Sequence, residues 1–430
     1  MIYRDLVRIL WLKTELLHPV DKGGKIRTYN MLKELKREHH VTYLTLDDGT
    51  ATADERAKAT EYCHELLCIP QRRREKFTPG FYFELLLNLV SPRPYAIKKY
   101  ESAAMFREIT ELERKNAFDL LVCDFLAPAG NVPRTLSTPA VLFQHNVEAM
   151  IWKRHYEVQT NPIKKAYLYG QWRKMRGFEK EMCGRFDCVI AVSADDRDQM
   201  KREYGAEAVF DVATGVDVEF FRPSGTVQAV KHRLVFTGSM DWLPNEDAIR
   251  YFMREIMPLI KRKLPDVSLT VVGRNPPAGL VELSKEDPSL IITGRVDDVR
   301  PYMESASAYI VPLRIGGGTR LKIFEAMAME KAVVSTTVGA EGLPLTDGSD
   351  LLLADRPDAF ADAVVRVLSD SEYASELGQR AAANVRQNHG WRQVTDNFVS
   401  ICRQAKRPLI DHKSVSSVVT GLNPEVKNVR

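Results

Sequence analysis

Short apolar runs alternate with longer amphipathic stretches from one end of the chain to the other. Apolar runs of four to eight residues are typical of buried strands, and apolar residues three and four apart are typical of helices. Their alternation predicts an α/β fold built from βαβ units around parallel sheets. The first half of the chain contains five such strands: Val7–Leu12, Val41–Leu46, Leu120–Cys123, Ala140–Gln144 and Cys188–Val192. The second half contains five more: Leu234–Thr237, Leu269–Val272, Leu290–Thr293, Tyr309–Pro312 and Ala332–Thr336.

Helices are expected between the strands. The amphipathic pattern is clearest at Gly24–Lys36, Ile97–Lys115 and Ala194–Tyr204. Ser193 precedes the third of these and is a suitable N-cap, because its hydroxyl can accept a hydrogen bond from the first helical turn.

Residues 214–231 show neither the strand pattern nor the helix pattern and are rich in turn residues, so we place a domain boundary there. A chain of 430 residues exceeds the size at which one hydrophobic core keeps growing. The sequence therefore predicts two domains, at residues 1–215 and 216–390. Residues 391–408 form a further helix, and residues 409–430 have no periodic pattern and are expected to be a mobile tail.

The composition and the lengths of the apolar runs exclude several classes of function. The formal net charge of +4 is too small for a nucleic-acid-binding protein, and no apolar run is long enough to span a bilayer. The N-terminus lacks the pattern of a secretory signal, which favours a cytoplasmic protein. The six cysteines lack the spacing of a zinc site and are expected to be buried free thiols: Cys63, Cys68, Cys123, Cys183, Cys188 and Cys402.

Two stretches have two interpretations each. Residues 71–95 run from a basic cluster into a strongly apolar segment, and residues 151–180 are rich in Lys, Arg, Trp and Tyr. Either stretch could lie on the inner face of a membrane or face an anionic acceptor. The alternative is a helix with one face in the core and its charges in solvent.

The most informative segment follows the strand Tyr309–Pro312. A glycine loop there opens a helix, and such a loop at the carboxyl end of a parallel strand can bind an anion through backbone N–H groups and the helix dipole. Arg320 and Lys322 add two cations, and Glu325 can accept hydrogen bonds from sugar hydroxyls. The alternative is a turn followed by a surface helix with an internal Lys–Glu pair. The loop itself consists of Gly316, Gly317, Gly318 and Thr319.

This segment resembles the E-x7-E motif of the family-4 retaining glycosyltransferases, with Glu325 at the second glutamate. The resemblance extends over nearly the whole chain. Residues 214–223 are similar to the family's interdomain Asn-Gly-Val-Asp-x-x-x-Phe-x-Pro signature, and Gly23, Gly24 and Arg27 resemble its first glycine loop. His145 stands where the family places a histidine after a strand.

The chain departs from the family at two places. Gly317 replaces the first glutamate of the motif, and residues 236–245 lack the cations that many members carry after the first strand of the second domain. We therefore expect Arg320 and Lys322 to neutralise the diphosphate instead.

The resemblance implies a GT-B fold, in which two Rossmann-like domains face each other across a cleft and the helix at 391–408 returns to the first domain. It also implies a retaining glycosyltransferase that moves a sugar from a nucleotide-diphosphate sugar to a glycan or lipid-linked acceptor. The expected catalytic residues are His145, Arg320, Lys322 and Glu325. The expected donor-binding residues are Gly23, Gly24, Gly238, Gly273, Arg274, Val296, Gly316, Gly317, Gly318 and Thr319.

No Asp-x-Asp pair suggests a metal, so metal-independent activity is expected, with the nucleotide sugar as co-substrate and no cofactor. The acid pairs at 195–196 and 297–298 are better explained by helix starts. Surface-polysaccharide synthesis is the expected setting. Two alternatives stay open: a sugar-nucleotide epimerase of the same fold, and a non-catalytic module that binds sugar nucleotides.

Overall fold

The computed structural model describes residues 6–20, 23–71, 74, 77–315 and 321–404. The chain divides into two compact units: the first runs to Asp211 and takes in the chain again from Asn397, and the second is Val212–Asp396. The change of unit therefore falls slightly before the boundary expected after residue 215. The predicted tail at 409–430 lies outside the described residues.

The first unit is built on a seven-stranded parallel sheet in the order β3-β2-β1-β4-β5-β6-β7. Its strands are β1 (Arg8–Lys13), β2 (His40–Asp47), β3 (Glu65–Pro70), β4 (Leu120–Asp124), β5 (Ala140–Phe143), β6 (Cys188–Ala191) and β7 (Val209–Asp211). Its helices are α1 (Gly23–Glu38), α2 (Ala53–Ala57), α3 (Pro79–Asn88), α4 (Tyr95–Lys98), α5 (Ala103–Arg114), α6 (Glu148–Val158), α7 (Pro162–Arg185) and α8 (Ala194–Tyr204). Short 3-10 helices lie at Lys58–Glu61 and Ala127–Asn131.

The second unit is built on a six-stranded sheet in the order β10-β9-β8-β11-β12-β13, also with parallel pairs. Its strands are β8 (Arg233–Thr237), β9 (Ser268–Val272), β10 (Leu290–Gly294), β11 (Ala308–Val311), β12 (Val333–Ser335) and β13 (Leu352–Leu353). Its helices are α9 (Leu243–Tyr251), α10 (Met257–Lys261), α11 (Ala278–Glu286), α12 (Arg300–Ser305), α13 (Leu321–Ala328), α14 (Pro357–Ser369) and α15 (Ser371–Asn388). A π-helical turn at Phe252–Ile256 joins α9 to α10.

Both sheets are covered on their two faces, which explains why their strands are almost wholly apolar. In the second unit, Leu234 and Phe236 pack in one apolar cluster, whereas Val235 between them packs in another. Alternate residues of a strand point to opposite faces, so one strand contributes to both cores. The predicted α/β class with two parallel sheets is confirmed.

The last helix, α16 (Trp391–Arg403), begins in the second unit and continues in the first. In the first unit Phe398 packs against Trp11, with ring centroids 5.8 Å apart. In the second unit a Cβ added at Gly215 would lie 2.5 Å from the Trp391 ring. The glycine of the Gly-Val-Asp segment is therefore needed where the chain passes this tryptophan.

Two helix predictions are wrong in detail. The stretch Ile97–Lys115 is not one helix, because Ser102 is extended and its hydroxyl accepts from the N–H of Met105, which starts α5 anew. The stretch 151–180 is also divided, because Asn161 caps α7 and the following proline opens it. Strands β3, β7 and β13 are absent from the sequence prediction.

The segment at 71–95 contains α3, whose N-cap is Thr78. Arg72, Arg73 and Lys76 of the basic cluster lie outside the described residues. Across the described ranges, no helix is both long enough and apolar enough to cross a bilayer. All six cysteines are free thiols, and all but Cys68 are buried.

Candidate active site

Three adjacent strands of the first unit end in polar side chains that meet at one buried carboxylate. β1 ends at Lys13, β4 ends at Asp124, and His145 follows β5. Nζ of Lys13 donates to Oδ2 of Asp124 at 2.7 Å, and Nε2 of His145 lies 2.7 Å from Oδ1. Thr28 Oγ1 and Trp11 Nε1 also donate to Oδ2, at 2.6 and 3.1 Å. Asp124 is therefore the centre of this cluster.

The charges of this cluster depend on one another. Burial raises the pKa of Asp124, but Lys13 and His145 outweigh it and hold the pKa below its ordinary value. Burial lowers the pKa of Lys13, and Asp124 opposes that effect. An ionised pair of this kind is stable only while both partners are present, because either one alone would be an uncompensated buried charge.

His145 is neutral at physiological pH. Burial lowers its pKa to about 4, against the opposing influence of Asp124. Its ring stacks on Phe125, with centroids 3.9 Å apart, and lies against Phe143 at 4.6 Å. A neutral imidazole held on two sides can form a hydrogen bond with a ligand hydroxyl without bringing a charge to it.

The backbone beside His145 is strained. Phe125 has a φ of 72°, in the left-handed region that glycine favours. Such a conformation costs about 1–3 kcal/mol and persists mainly at functional sites. A Cβ added at Gly24 would lie 2.7 Å from Cζ of this phenylalanine. Gly23 is the first residue of α1, so the two predicted glycines lie at the start of that helix, against the Phe125–His145 stack.

In the second unit, Gly238 and Gly273 follow the neighbouring strands β8 and β9. A Cβ added at Gly273 would lie 1.7 Å from the carbonyl oxygen of Gly238, a distance that no side chain can accept. The N–H of Gly238 donates to Val272 O at 3.0 Å. The two turns thus pack directly against each other at the carboxyl edge of the sheet, which is where ligands bind in open α/β folds.

Lys322 brings a cation to this edge. It lies in the first turn of α13, and its Nζ donates to Oδ1 of Asn245 at 2.9 Å. The same Nζ would lie only 2.8 Å from a Cβ at Gly238, and it lies 4.1 Å from the centroid of the Phe236 ring. The turn after β8 has no cation of its own, and α13 supplies one.

Glu325 lies on α13 one turn after Lys322 and is half-buried. Burial raises the pKa of Glu325 to about 7, and Lys322 opposes that shift. The carboxyl group is therefore protonated more readily than an exposed glutamate. A ligand hydroxyl that donates to it would favour the ionised form.

The remaining predicted donor-binding residues have different surroundings. Nε of Arg274, directly after Gly273, donates to Oγ of Ser239 at 2.9 Å, so its side chain lies against the Gly238 turn. Val296 is half-buried and packs against an apolar cluster. Gly316, Gly317, Gly318, Thr319 and Arg320 lie outside the described residues.

Asp124 and Asn245 are central to these arrangements and were not among the predicted residues. A signal for Asp124 exists, because it is the first charged residue after the apolar run Leu120–Cys123 and thus stands at the carboxyl end of a parallel strand. Asn245 has no comparable signal, since its role depends on a lysine far away in sequence. Within the described ranges, no group of three or more His, Cys, Asp and Glu side chains could hold a metal ion.

Comparison with known families agrees with both halves of this architecture. Residues 22–220 match the family model "Glycosyltransferase Family 4", and residues 231–370 match "Glycosyl transferases group 1".

Individual proteins are more distant. An uncharacterised 44.6 kDa protein in the cps region of Klebsiella pneumoniae is 20% identical over 93% of this chain and 100% of its own length. Phosphatidyl-myo-inositol mannosyltransferase of Mycolicibacterium smegmatis is 27% identical over 53% of this chain and 58% of its own. Alr3699/HepE of Anabaena, solved in complex with UDP-glucose, superposes with a TM-score of 0.61 at 12% identity, covering 93% of this chain and 100% of its own.

The two family matches and the two parallel sheets lead to one conclusion. The chain belongs to the glycosyltransferases, with a family 4 domain followed by a group 1 domain on a GT-B fold.

Proposed function

We propose that the protein is a retaining, metal-independent glycosyltransferase that moves a sugar from a nucleotide-diphosphate sugar to a hydroxyl of a glycan or lipid-linked acceptor. The observation that carries this proposal is the ammonium group of Lys322 beside the turn at Gly238, at the carboxyl end of β8. Surface-polysaccharide synthesis is the proposed setting, in line with the cps region named for the Klebsiella relative.

The chemistry of the donor explains why this arrangement suits it. Transfer breaks the bond between the sugar C1 and the diphosphate oxygen, which leaves new negative charge on the nucleoside diphosphate. Lys322 and the N-terminus of α13 both place positive charge at the edge of the second sheet. These groups are the proposed substitutes for a divalent cation.

Glu325 and His145 are assigned to the sugar hydroxyls. Glu325 accepts from the ribose, and its ionised form is the stronger acceptor. His145 forms a hydrogen bond with the transferred sugar, and Asp124 holds the imidazole in place at 2.7 Å. The acceptor oxygen attacks C1 from the side that the diphosphate leaves, and its proton passes to the departing phosphate oxygen.

The reaction is tested by incubating the purified protein with UDP-glucose, GDP-mannose and other nucleotide sugars, with and without membranes from the cells that make it. Release of nucleoside diphosphate that requires the membranes, and an anomeric configuration retained in the NMR spectrum of the product, support the proposal. Interconversion of nucleotide sugars would instead show an epimerase, and binding without turnover would show a non-catalytic module.

The acceptor is proposed to lie at the inner face of a membrane, because α3 has its apolar side turned outward. Its two polar side chains contact the protein: Glu84 binds Arg74 and Tyr95, and the buried Asn88 bonds to Gln171 at 2.9 Å. The large apolar residues on and beside the helix are each more than half exposed: Phe77, Tyr82, Phe83, Leu86, Leu87, Leu89 and Val90. A helix in water has the opposite arrangement.

Cations accompany this surface. Nζ of Lys174 donates to the carbonyls of Asn88 and Leu89 at the end of α3, and Arg74 precedes its start. Arg72, Arg73 and Lys76 stand beside Arg74 in the sequence. An anionic bilayer attracts such residues by about 1 kcal/mol each, in addition to the burial of the apolar side chains. The mannosyltransferase relative is named for a phosphatidylinositol, which is a lipid.

Vesicle flotation tests this surface separately from catalysis. The protein should float with phosphatidylcholine vesicles that contain phosphatidylglycerol, and less with phosphatidylcholine alone. The double variant Leu86→Gln/Leu87→Gln should lose flotation, whereas Phe106→Gln, an exposed residue on α5, should not. Equal flotation of both variants would refute the membrane assignment.

A further inference from the structure

Glu179 of α7 carries a completely buried carboxylate that accepts four hydrogen bonds. Its Oε1 accepts from Nε2 of Gln144 at 3.1 Å and from the N–H of Glu148 at 2.8 Å. Its Oε2 accepts from the N–H of Ala149 at 2.9 Å and from the hydroxyl of Tyr204 at 2.7 Å. Burial raises the pKa of Glu179 to about 7, and Tyr204 and the two backbone N–H groups oppose that shift. Backbone N–H groups can only donate, so they favour the ionised form.

Three of these donors flank His145 in the chain. Gln144 directly precedes it, and the two backbone donors belong to the first residues of α6, which begins after residues 146–147. The first N–H groups of a helix have no partner within it, and the N-cap residue Val147 offers them no side-chain hydrogen bond. Glu179 therefore caps α6 from a distant part of the chain and holds the backbone on both sides of His145 with one carboxylate.

The groups that hold this segment are themselves fixed. Glu179 lies beside Phe178, which packs in the apolar core of the first unit. The N–H of Gln144 donates to the carbonyl of Ile190 at 2.8 Å, which ties it to the neighbouring strand β6. Only residues 145–147 lie between the two fixed points. A shift at either point therefore moves the backbone that carries the histidine.

The imidazole depends on this backbone because its ring is held at the other end. Nε2 of His145 lies 2.7 Å from Oδ1 of Asp124, and the ring stacks on Phe125. A displaced backbone would lengthen that contact or turn the ring away from a ligand. A displacement of about 1 Å at a group that contacts the reacting atoms can cost roughly 10²-fold in rate.

We propose that Glu179 is a positioning residue of the enzyme: it holds both ends of segment 144–149 and so places the His145 imidazole against the transferred sugar. Glu179 acts through His145 and needs no contact with the substrate. Its effect on the rate rests on the role proposed above for His145, whereas its effect on the geometry of the ring does not.

The variant Glu179→Gln tests the carboxylate with almost no change of volume. Each carboxylate oxygen faces one backbone N–H, so either orientation of the amide turns its NH2 group towards a donor that cannot accept. One end of segment 144–149 must therefore move. We expect kcat to fall about 10- to 100-fold in the folded enzyme. KM for the nucleotide sugar should stay close to the wild-type value, because the proposed diphosphate contacts lie in the second unit.

Glu304→Gln is the matched control. The carboxylate of Glu304 is also buried, and it accepts from the N–H of Gly225 at 2.7 Å and the hydroxyl of Ser224 at 2.8 Å, but these residues belong to the second unit. Both variants should lower the melting temperature, and only Glu179→Gln should lower kcat at a temperature where all the proteins are folded. A kcat that falls equally in both variants, or in neither, would refute the positioning role.

A double-mutant cycle tests whether Glu179 acts through His145. Glu179→Gln should add no further loss of kcat to His145→Ala, because the residue through which it acts is already absent. If the two losses multiply instead, Glu179 acts by another route and the proposal is wrong.

The ring signals of histidine in NMR spectra test the geometry without catalysis. In full-length protein with isotope-labelled histidine, the signal that His145→Ala removes belongs to His145. Glu179→Gln should shift this signal, whereas Glu304→Gln should not. An unshifted signal in Glu179→Gln would overturn the proposal. A shifted signal together with a wild-type kcat for His145→Ala would confirm the positioning and refute the proposed role of His145 in transfer.

Discussion

The cluster around Asp124 allows a quantitative test of how the first unit is held together. In Asp124→Asn the side chain keeps its volume but loses its charge, so the ammonium of Lys13 remains buried without a counter-ion. Removing one partner of a buried pair typically costs 3–5 kcal/mol. In the wild-type protein the carboxylate oxygen accepts hydrogen bonds from Lys13, Thr28 and Trp11. The amide nitrogen of asparagine carries two hydrogens and cannot accept from these donors. We expect a loss of about 3–5 kcal/mol in the free energy of unfolding.

Urea unfolding followed by tryptophan fluorescence measures this loss, since Trp11 is completely buried in the same unit. The two units can unfold separately, so the first transition of each variant is compared. The exposed pair of Asp54 and Lys58 provides the control, because Asp54→Asn should cost less than about 0.5 kcal/mol. Adding Lys13→Met to Asp124→Asn should recover part of the loss. A cost of less than about 1 kcal/mol for Asp124→Asn would show that the buried pair is not the support we infer.

Three further predictions concern the second unit. Lys322→Met should lower kcat about 10²–10³-fold, the usual effect of removing one group that stabilises a developing anion, whereas Lys285→Met on the exposed side of α11 should retain wild-type turnover. Gly273→Ala should destabilise the protein by at least about 1–3 kcal/mol and abolish donor binding, because its Cβ would lie 1.7 Å from a carbonyl oxygen. In the same calorimetric measurement the control Gly170→Ala, in the open part of α7, should stabilise the protein by about 0.5–1 kcal/mol. Folding raises the pKa of Glu325 from its ordinary value of 4.5 to about 7, so the free energy of unfolding should be highest below pH 4.5 and should fall as the pH rises through 7. Glu325→Gln should remove this pH dependence, and also the fall in donor KM expected over the same pH range.

The sequence predicts the scaffold well because a buried parallel strand has a distinctive local pattern. Leu269–Val272 is observed as Ser268–Val272, and Ala140–Gln144 as Ala140–Phe143. The strands that it misses lie at the sheet edges, where β3 is only partly buried and β13 has two residues. Edge strands need less apolar surface, so their pattern is weaker.

The cluster around Asp124 is much harder to predict. It joins the ends of three strands and one helix, and Lys13 stands 111 residues away from Asp124 in the sequence. Lys322 and Asn245 are separated by 77 residues. Such pairs depend on the order of strands in the sheet, and that order cannot be read from the local pattern of a single sequence. Motif spacing could therefore single out His145 and Lys322, but not Asp124 or Asn245.

Metal-independent neutralisation of the leaving diphosphate is the central claim for this enzyme. It is tested most directly by measuring transfer of radiolabelled sugar to membrane acceptors in the presence of EDTA, with the nucleotide sugar that the donor panel identifies. We predict that EDTA leaves the wild-type rate unchanged and that Lys322→Met transfers about 10²–10³-fold more slowly. Transfer that stops with EDTA and returns with added Mg²⁺ or Mn²⁺, or a Lys322→Met variant with the wild-type rate, would contradict the account.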